Sequence, residues 1–286
     1  MSKIPVRTLD RISEVRPSGN FTIRAVKDIL KGNDILHELH RHSYFFILAI
    51  KTGLGYHDID FERHPVSDNM IFLLRPGQVH QLELKAGSEG YLIEFDNNFY
   101  NPADDISSQR LRKATSRNIC EPEKTKFTKP YAILEHIFDE FTEKEDGYKD
   151  VIKSDLDIFF IEYIRQCRSS NTSDAGKGSY AQTRFEELME MIEKNIATFK
   201  QVSQYADMLH LSTYQLNSIT KDAIGKSASE VINEHIILEA KRYLLATTDQ
   251  IKEIADTLGY EDISYFIRFF KKHTGYTPES FRQNFK

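Results

Sequence analysis

Two segments near the carboxyl terminus follow the same plan, and this repeat constrains the fold more than any other feature of the sequence. The first begins at Val202 and the second at Ile251, and each is typical of a short helix, a tight turn and a second helix. The second helices are predicted over 213–224 and 263–274, and each is followed by glycine, the usual residue after a helix end. The sequence therefore predicts two helix-turn-helix motifs.

Small and capping residues support this prediction. Ala206 and Ala255 lie where the two helices of each motif cross, at roughly 90–120°, and such a crossing needs a small side chain. Ser212 and Asp262 precede the second helices, where their side-chain oxygens can accept backbone N–H groups.

One long helix, Ala228 to Leu245, is predicted between the motifs. About 18 residues span roughly 27 Å at about 1.5 Å per residue. With the widths of the helices added, this length suits two second helices in successive major grooves of duplex DNA, about 34 Å apart. Residues 180–286 are therefore predicted to be an all-α domain in which one chain contacts two grooves.

The charge of the chain limits how it could bind nucleic acid. The net charge is −5 over 286 residues, so no overall attraction to DNA exists. Residues 265–286 are the exception, with five basic side chains and one acidic one, a net charge of +4. Any contact with DNA must therefore be local.

Further motifs in the same region resemble a known family. They are Glu253-Ile254-Ala255, Leu258-Gly259-Tyr260, Ser264-Tyr265-Phe266, Arg268-Phe269-Phe270-Lys271-Lys272, Gly275-Tyr276-Thr277-Pro278, Phe281-Arg282 and, in the long helix, Glu239-Ala240-Lys241-Arg242. Residues 185–286 thus resemble, without a gap, the DNA-binding domain of the AraC/XylS family of bacterial transcription regulators. The resemblance implies a cytoplasmic regulator that is not an enzyme, binds double-stranded DNA and contacts RNA polymerase, more often to activate than to repress.

The outward faces of the second helices supply the candidate DNA-binding residues, at positions to which the resemblance also points. They are Thr213, Tyr214, Asn217, Ser218, Lys221, Ile263, Ser264, Ile267, Arg268 and Lys271, to which Lys272 and Arg282 are added as basic candidates for phosphate contacts. Arg268 can bind guanine with two hydrogen bonds, and Asn217 can bind adenine in the same way. Ile263 and Ile267 suit thymine methyl groups, whereas the lysines and Arg282 suit phosphate. Ser218 departs from the family, in which many members carry a long basic residue there.

The remainder of the chain predicts an α+β multidomain protein. Residues 1–103 show short alternating strands separated by turn residues, typical of a β-sandwich or small barrel. Residues 104–168 are predicted to form a helical hairpin, either packed on its own barrel or left with one apolar face for a homodimer. Residues 169–179 are rich in glycine and serine and are predicted to be a linker.

Histidines mark the candidate effector site in the amino-terminal domain. His40-Arg41-His42 and Arg75-Pro76-Gly77-Gln78-Val79-His80 resemble the cupin-like effector domain of the same family. The resemblance implies a small-molecule effector near His40, His42, Arg75 and His80. Metal-binding cupins carry a glutamate where this chain has Phe46, so neither a metal nor another cofactor is predicted.

Other interpretations stay open at this point. The histidines could hold zinc or iron, line a ligand pocket or stabilise the core. The alternatives to an effector-sensing regulator are a metal-dependent cupin enzyme with a helical appendage and a DNA-binding regulator with a vestigial barrel. Only two cysteines occur, Cys120 and Cys167, which favours a reducing cytoplasm over a disulfide framework or a four-thiolate zinc site. The sequence shows neither a secretory signal nor an apolar run of about 20 residues, so no membrane association is predicted.

Overall fold

The computed structural model describes residues 6–7, 20–102, 104–167 and 177–285. These residues divide into two compact units, one within residues 4–169 and the other within residues 170–286. Every strand of the described residues lies in the first unit, and the described part of the second is helical, as the α+β prediction requires.

The amino-terminal unit contains ten described strands and four helices. They are β1 (Val6–Arg7), β2 (Phe21–Ala25), α1 (Val26–Leu30), β3 (Ile35–His42), β4 (Phe45–Thr52), β5 (Gly55–Ile59), β6 (Glu62–Val66), β7 (Met70–Leu74), β8 (Val79–Leu84), β9 (Glu89–Phe95), α2 (Asp105–Thr115), β10 (Ile119–Cys120), α3 (Lys124–Glu143) and α4 (Tyr148–Gln166).

The strands form two five-stranded sheets rather than one closed barrel. The strand orders are β1-β3-β8-β5-β6 and β10-β7-β4-β9-β2. Among the described residues no strand pairs with both sheets, so the predicted barrel is an open sandwich. Alternation along single strands predicts which side chains face inward, but it does not determine whether the outermost strands pair with each other.

Strand β4 lies in the centre of its sheet and is buried on both faces. Phe46, Leu48 and Ile50 belong to an apolar cluster that also contains residues of the opposite sheet. Phe45 and Ile47 point the other way, into a second cluster shared with helices α3 and α4. This position explains why the sequence shows a continuous apolar run here instead of an alternating one.

Helices α3 and α4 form the predicted hairpin and pack on this second face of the sheet. Leu134 and Ile137 of α3, with Leu156 and Phe160 of α4, are completely buried in the same cluster as the sheet residues. The apolar stripes of the hairpin are therefore covered by the chain's own sheet, the first of the two alternatives predicted from the sequence.

The two cysteines form a disulfide that the sequence did not lead us to expect. Cys120 in β10 and Cys167 at the end of α4 are joined, with their Cα atoms 5.3 Å apart. They are 47 residues apart in the chain, so only the packing of the hairpin on the sheet brings them together. The disulfide fastens the last turn of the hairpin to the sheet edge.

The carboxyl-terminal unit is built from seven helices in its described part. They are α5 (Lys177–Asn195), α6 (Val202–Met208), α7 (Thr213–Ile224), α8 (Ala228–Ala246), α9 (Ile251–Thr257), α10 (Ile263–Thr274) and α11 (Pro278–Phe285). Helix α5 begins at Lys177, so residues 177–179 of the predicted linker are helical and lie in the turn that precedes the buried Ala181. The rest of that linker, 169–176, lies outside the described residues.

Candidate nucleic-acid interface and histidine cluster

The two helix-turn-helix motifs begin and end where the capping residues predict. The Ser212 side chain accepts a hydrogen bond from the Gln215 N–H, and the Asp262 side chain accepts one from Ser264. Gly225 and Gly275 end the second helices in the left-handed conformation, with φ of 75° and 80°. The second helices of both motifs are therefore fixed at both ends.

Apolar side chains anchor each second helix against the unit. Leu216 and Ile219 of α7 are buried, as are Phe266 and Phe270 of α10. Phe269 is only partly buried, and its ring lies near those of Tyr260 and His273. Helix α8 contacts α7, α9 and α10, so it links the two motifs as expected.

The outward face of α7 is exposed along most of its length. Thr213, Ser218 and Lys221 are exposed, and Tyr214 is 82% exposed. Asn217 differs from them, because its side-chain oxygen accepts the Ala228 N–H at 3.0 Å and its NH₂ group donates to the Thr213 carbonyl at 2.9 Å. Asn217 therefore links α7 to the start of α8, a role that the sequence pattern did not indicate.

The outward face of α10 carries more positive charge. Ser264, Arg268, Lys271 and Lys272 are exposed, whereas Ile263 and Ile267 are partly buried. Arg268 Nη2 lies 3.9 Å from the Asp262 carboxylate, and both side chains are more than 60% exposed. Such an exposed pair is weak, so Arg268 can turn toward another partner at little cost.

Arg282 lies in α11, is partly buried and is bonded to backbone carbonyl groups. Its guanidinium donates to the carbonyl of Leu244 at 3.0 Å and to that of Asp249 at 2.8 Å. These bonds fix the loop between α8 and α9. A guanidinium carries five N–H groups, so these two bonds do not prevent the predicted phosphate contact.

Four buried histidines form a cluster between the two sheets of the other unit. His40 in β3, His80 in β8 and His57 in β5 lie on three neighbouring strands, and His42 follows His40 by two positions. All four side chains are 0–3% exposed. Nε2 of His80 lies 2.6 Å from Nε2 of His42 and 3.1 Å from Nε2 of His40.

Neighbouring groups determine how two of these rings are oriented. Nδ1 of His40 lies 2.6 Å from the Glu38 carbonyl oxygen, which can only accept, so this nitrogen carries the proton. Nδ1 of His80 lies 2.8 Å from Nε2 of His57. Burial lowers the pKa of His57 to about 3 and lowers that of His80 well below 6.5, so both rings are uncharged at neutral pH.

The other predicted effector-site residues occupy different surroundings. Phe46 is buried, with its ring 5.0 Å from that of His80. Arg75 is partly buried at the end of β7, where its backbone N–H donates to the Gln78 side chain. The structure thus gathers His40, His42 and His80 in one cluster.

Sequence reasoning missed several polar side chains beside this cluster. His57 was overlooked, although it occupies an inward position of the alternating segment Tyr56 to Phe61 and could have been found there. Glu94 is buried and accepts a hydrogen bond from the Tyr44 hydroxyl at 2.8 Å, and the ring of Tyr44 lies 4.3 Å from that of His42. Glu94 follows Tyr91, Leu92 and Ile93 in β9, and this largely apolar stretch gives little indication of the direction of its side chain.

Family models match both units. One described as a helix-turn-helix domain matches residues 205–284, and one described as an AraC-like ligand binding domain matches residues 31–147. Among the described helices, none is long and apolar enough to cross a membrane.

Individual relatives match over most of the chain. An HTH-type transcriptional regulator of Bacillus subtilis, YfiF, is 24% identical over 87% of this chain and 79% of its own. The HTH-type transcriptional activator RhaR of Mannheimia succiniciproducens is 21% identical over 86% and 87%. A solved carboxyl-terminal domain of the response regulator yesN of Fusobacterium nucleatum is 31% identical, covers 35% of this chain and 97% of that domain, and has a TM-score of 0.33.

Proposed function

Because the chain belongs to the AraC/XylS family of bacterial transcription regulators, we propose that it binds a specific DNA site through both helix-turn-helix motifs and activates transcription in response to an effector. The observation that carries this proposal is the pair of motifs joined by α8, each with an anchored inner face and an exposed outer face. One chain can then contact two grooves without a partner.

The two motifs contribute unequally in this proposal. Helix α10 reads bases through Arg268 and Ser264, and Lys271 and Lys272 bind phosphate. Helix α7 has fewer free polar groups, because Asn217 is engaged with Ala228 and Ser218 is short. It positions the protein through Thr213, Tyr214 and Lys221 and adds little base discrimination.

An effector bound in the amino-terminal unit regulates this DNA binding. An effector can shift the regulator between two states only by binding one state more tightly than the other. Activation by contact with RNA polymerase belongs to the same proposal, as does action in the bacterial cytoplasm, where the DNA lies. A homodimer would have to use a surface other than the apolar stripes of the hairpin, because those stripes are covered by the chain's own sheet. The relative RhaR is described as a transcriptional activator, which supports the proposal of activation.

Fluorescence anisotropy tests the proposal directly. A duplex enriched from a random pool by the full-length protein should bind at least about 1,000-fold more tightly than a scrambled duplex of equal composition at physiological salt. Equal affinities for the two duplexes would show that the protein is not a sequence-specific regulator.

Replacing Arg268 with alanine should weaken binding to the enriched duplex by about 1–3 kcal/mol, or about 5- to 150-fold, because a bidentate contact to guanine is lost. Selection repeated with the variant should show that one base position has become degenerate. Lys272→Ala is the control, and it should weaken binding to all duplexes by a similar factor. If Arg268→Ala behaves in the same uniform way, Arg268 contacts phosphate instead.

A further inference from the structure

We propose that His40, His42 and His80 bind one divalent first-row transition-metal ion, and that this ion is the effector that controls DNA binding. The second half of this statement rests on the proposed function. The first half rests on the geometry of the histidine cluster alone.

The convergence of three ring nitrogens is the main observation. The ligand atoms of His40, His42 and His80 lie within 4.8 Å of one another, and two of the Nε2–Nε2 distances are 2.6 and 3.1 Å. Two imidazoles that share a metal ion at about 2.0–2.1 Å place their nitrogens about 3 Å apart. The three nitrogens are therefore close to the dimensions of a metal site, and small shifts of the side chains would bring all of them to bonding distance from one ion.

Hydrogen bonds between the rings explain the arrangement less well than a bound metal ion does. A ring nitrogen offers either one N–H or one lone pair, in the plane of the ring. Nε2 of His80 faces two other nitrogens, so at most one of these contacts can be a well-aligned hydrogen bond. A cation at the centre would instead be favourable for all three lone pairs.

The surrounding groups orient the rings as ligands. The Glu38 carbonyl holds the proton of His40 on Nδ1, so its Nε2 lone pair faces the cluster. His57 can accept the Nδ1 proton of His80 at 2.8 Å and leave the Nε2 of His80 free to bind the ion. Metal-binding histidines commonly have a hydrogen-bond partner of this kind on their other nitrogen.

The donor set selects the class of ion. Three imidazoles without a carboxylate suit zinc, iron, cobalt, nickel or copper, and do not suit magnesium or calcium, which prefer oxygen. Phe46 occupies the neighbouring position on β4, stacked against His42 with 5.4 Å between ring centroids. Phe72 lies against His57 at 4.7 Å. These aromatic rings leave the centre of the cluster to a small ion rather than to an organic effector.

Metal binding can be measured on the full-length protein, purified without a histidine tag and treated with a chelator. Isothermal titration with Zn²⁺ alone should give one equivalent per chain and a dissociation constant in the micromolar range or lower. Co²⁺ should give the visible absorption of a nitrogen-coordinated ion. Because both measurements use the unaltered protein, they remain decisive even if a substitution prevents folding. Less than 0.1 equivalent of Zn²⁺, together with no Co²⁺ band, would overturn the metal site.

Variants then assign the ligands. His40→Gln and His80→Gln should each weaken Zn²⁺ binding at least 10-fold, whereas His64→Gln, a partly exposed histidine on β6 of the same sheet, should leave it unchanged. Equal weakening by His64→Gln, or none by the other two, would overturn the assignment.

DNA binding separates this proposal from the proposed function. Affinity for the enriched duplex should change at least 10-fold between Zn²⁺-loaded and chelator-treated protein. If the protein binds Zn²⁺ and prefers the enriched duplex, but its affinity for that duplex is the same with and without Zn²⁺, the effector role is overturned and the regulator function stands. Zn²⁺ binding without any preference for the enriched duplex would overturn the regulator function while confirming the metal site.

Discussion

Replacing Gly259 with alanine is expected to destabilise the carboxyl-terminal unit by about 2–5 kcal/mol. Gly259 has φ of +72°, a conformation that costs other residues about 1–2 kcal/mol. An added Cβ would also lie 1.6 Å from the backbone oxygen of Ala197, and such crowding costs about 1–3 kcal/mol more. In the alanine variant, the turn between α9 and α10 must therefore move away from Ala197, which follows α5.

Gly275→Ala is the matched control for this substitution. Gly275 has a similar φ of +80°, but an added Cβ there meets open space. The Gly275→Ala substitution should therefore lower the free energy of unfolding by only about 1–2 kcal/mol. Thermal melting followed by circular dichroism should show the Gly259 variant at least about 10 °C below the wild type and clearly below the Gly275 variant. Equal melting temperatures for the two variants would mean that the contact with Ala197 is unimportant.

Reduction of the disulfide should destabilise the amino-terminal unit by about 4 kcal/mol. The bond between Cys120 and Cys167 closes a loop of 47 residues in the unfolded chain, and loss of that constraint increases its entropy. In calorimetry, the transition of this unit should fall by about 8–16 °C when a phosphine reductant is added.

The protein with serine at both cysteine positions is the control for the effect of the reductant. Its transition should resemble that of the reduced wild type and should not respond to the phosphine. Titration of the unreduced wild type should find no free thiol in the unfolded chain. Two free thiols there, or equal melting temperatures with and without reductant, would contradict the prediction.

Local signals in the sequence identified the DNA-binding half in detail. Helices α7 and α10 begin at Thr213 and Ile263 as predicted, because a capping side chain and a glycine define each end within a few residues of the chain. The long helix between them was placed to within one residue, Leu245 against the observed Ala246. Features of this kind depend little on the remainder of the fold.

Features that depend on distant residues were missed. The partners of Asn217 and Arg282 are backbone groups of other helices and loops, which no spacing rule identifies. The disulfide required the docking of α4 on the sheet, and the open sandwich required knowledge of which edge strands pair. The structure brings three of the candidate histidines together, but the place of His57 beside them became evident only from the pairing of β5 with β8.

Strand β4 has a mechanical consequence for any ligand bound among the histidines. Phe46 touches the histidine cluster, while its neighbours Phe45 and Ile47 support the helical hairpin on the opposite face of the same sheet. A close-packed strand cannot shift on one side alone, since its side chains have no free volume to absorb the displacement. We therefore expect that a ligand which displaces Phe46 also displaces Phe45 and Ile47. Helices α3 and α4, which pack on these two side chains, would then shift as well.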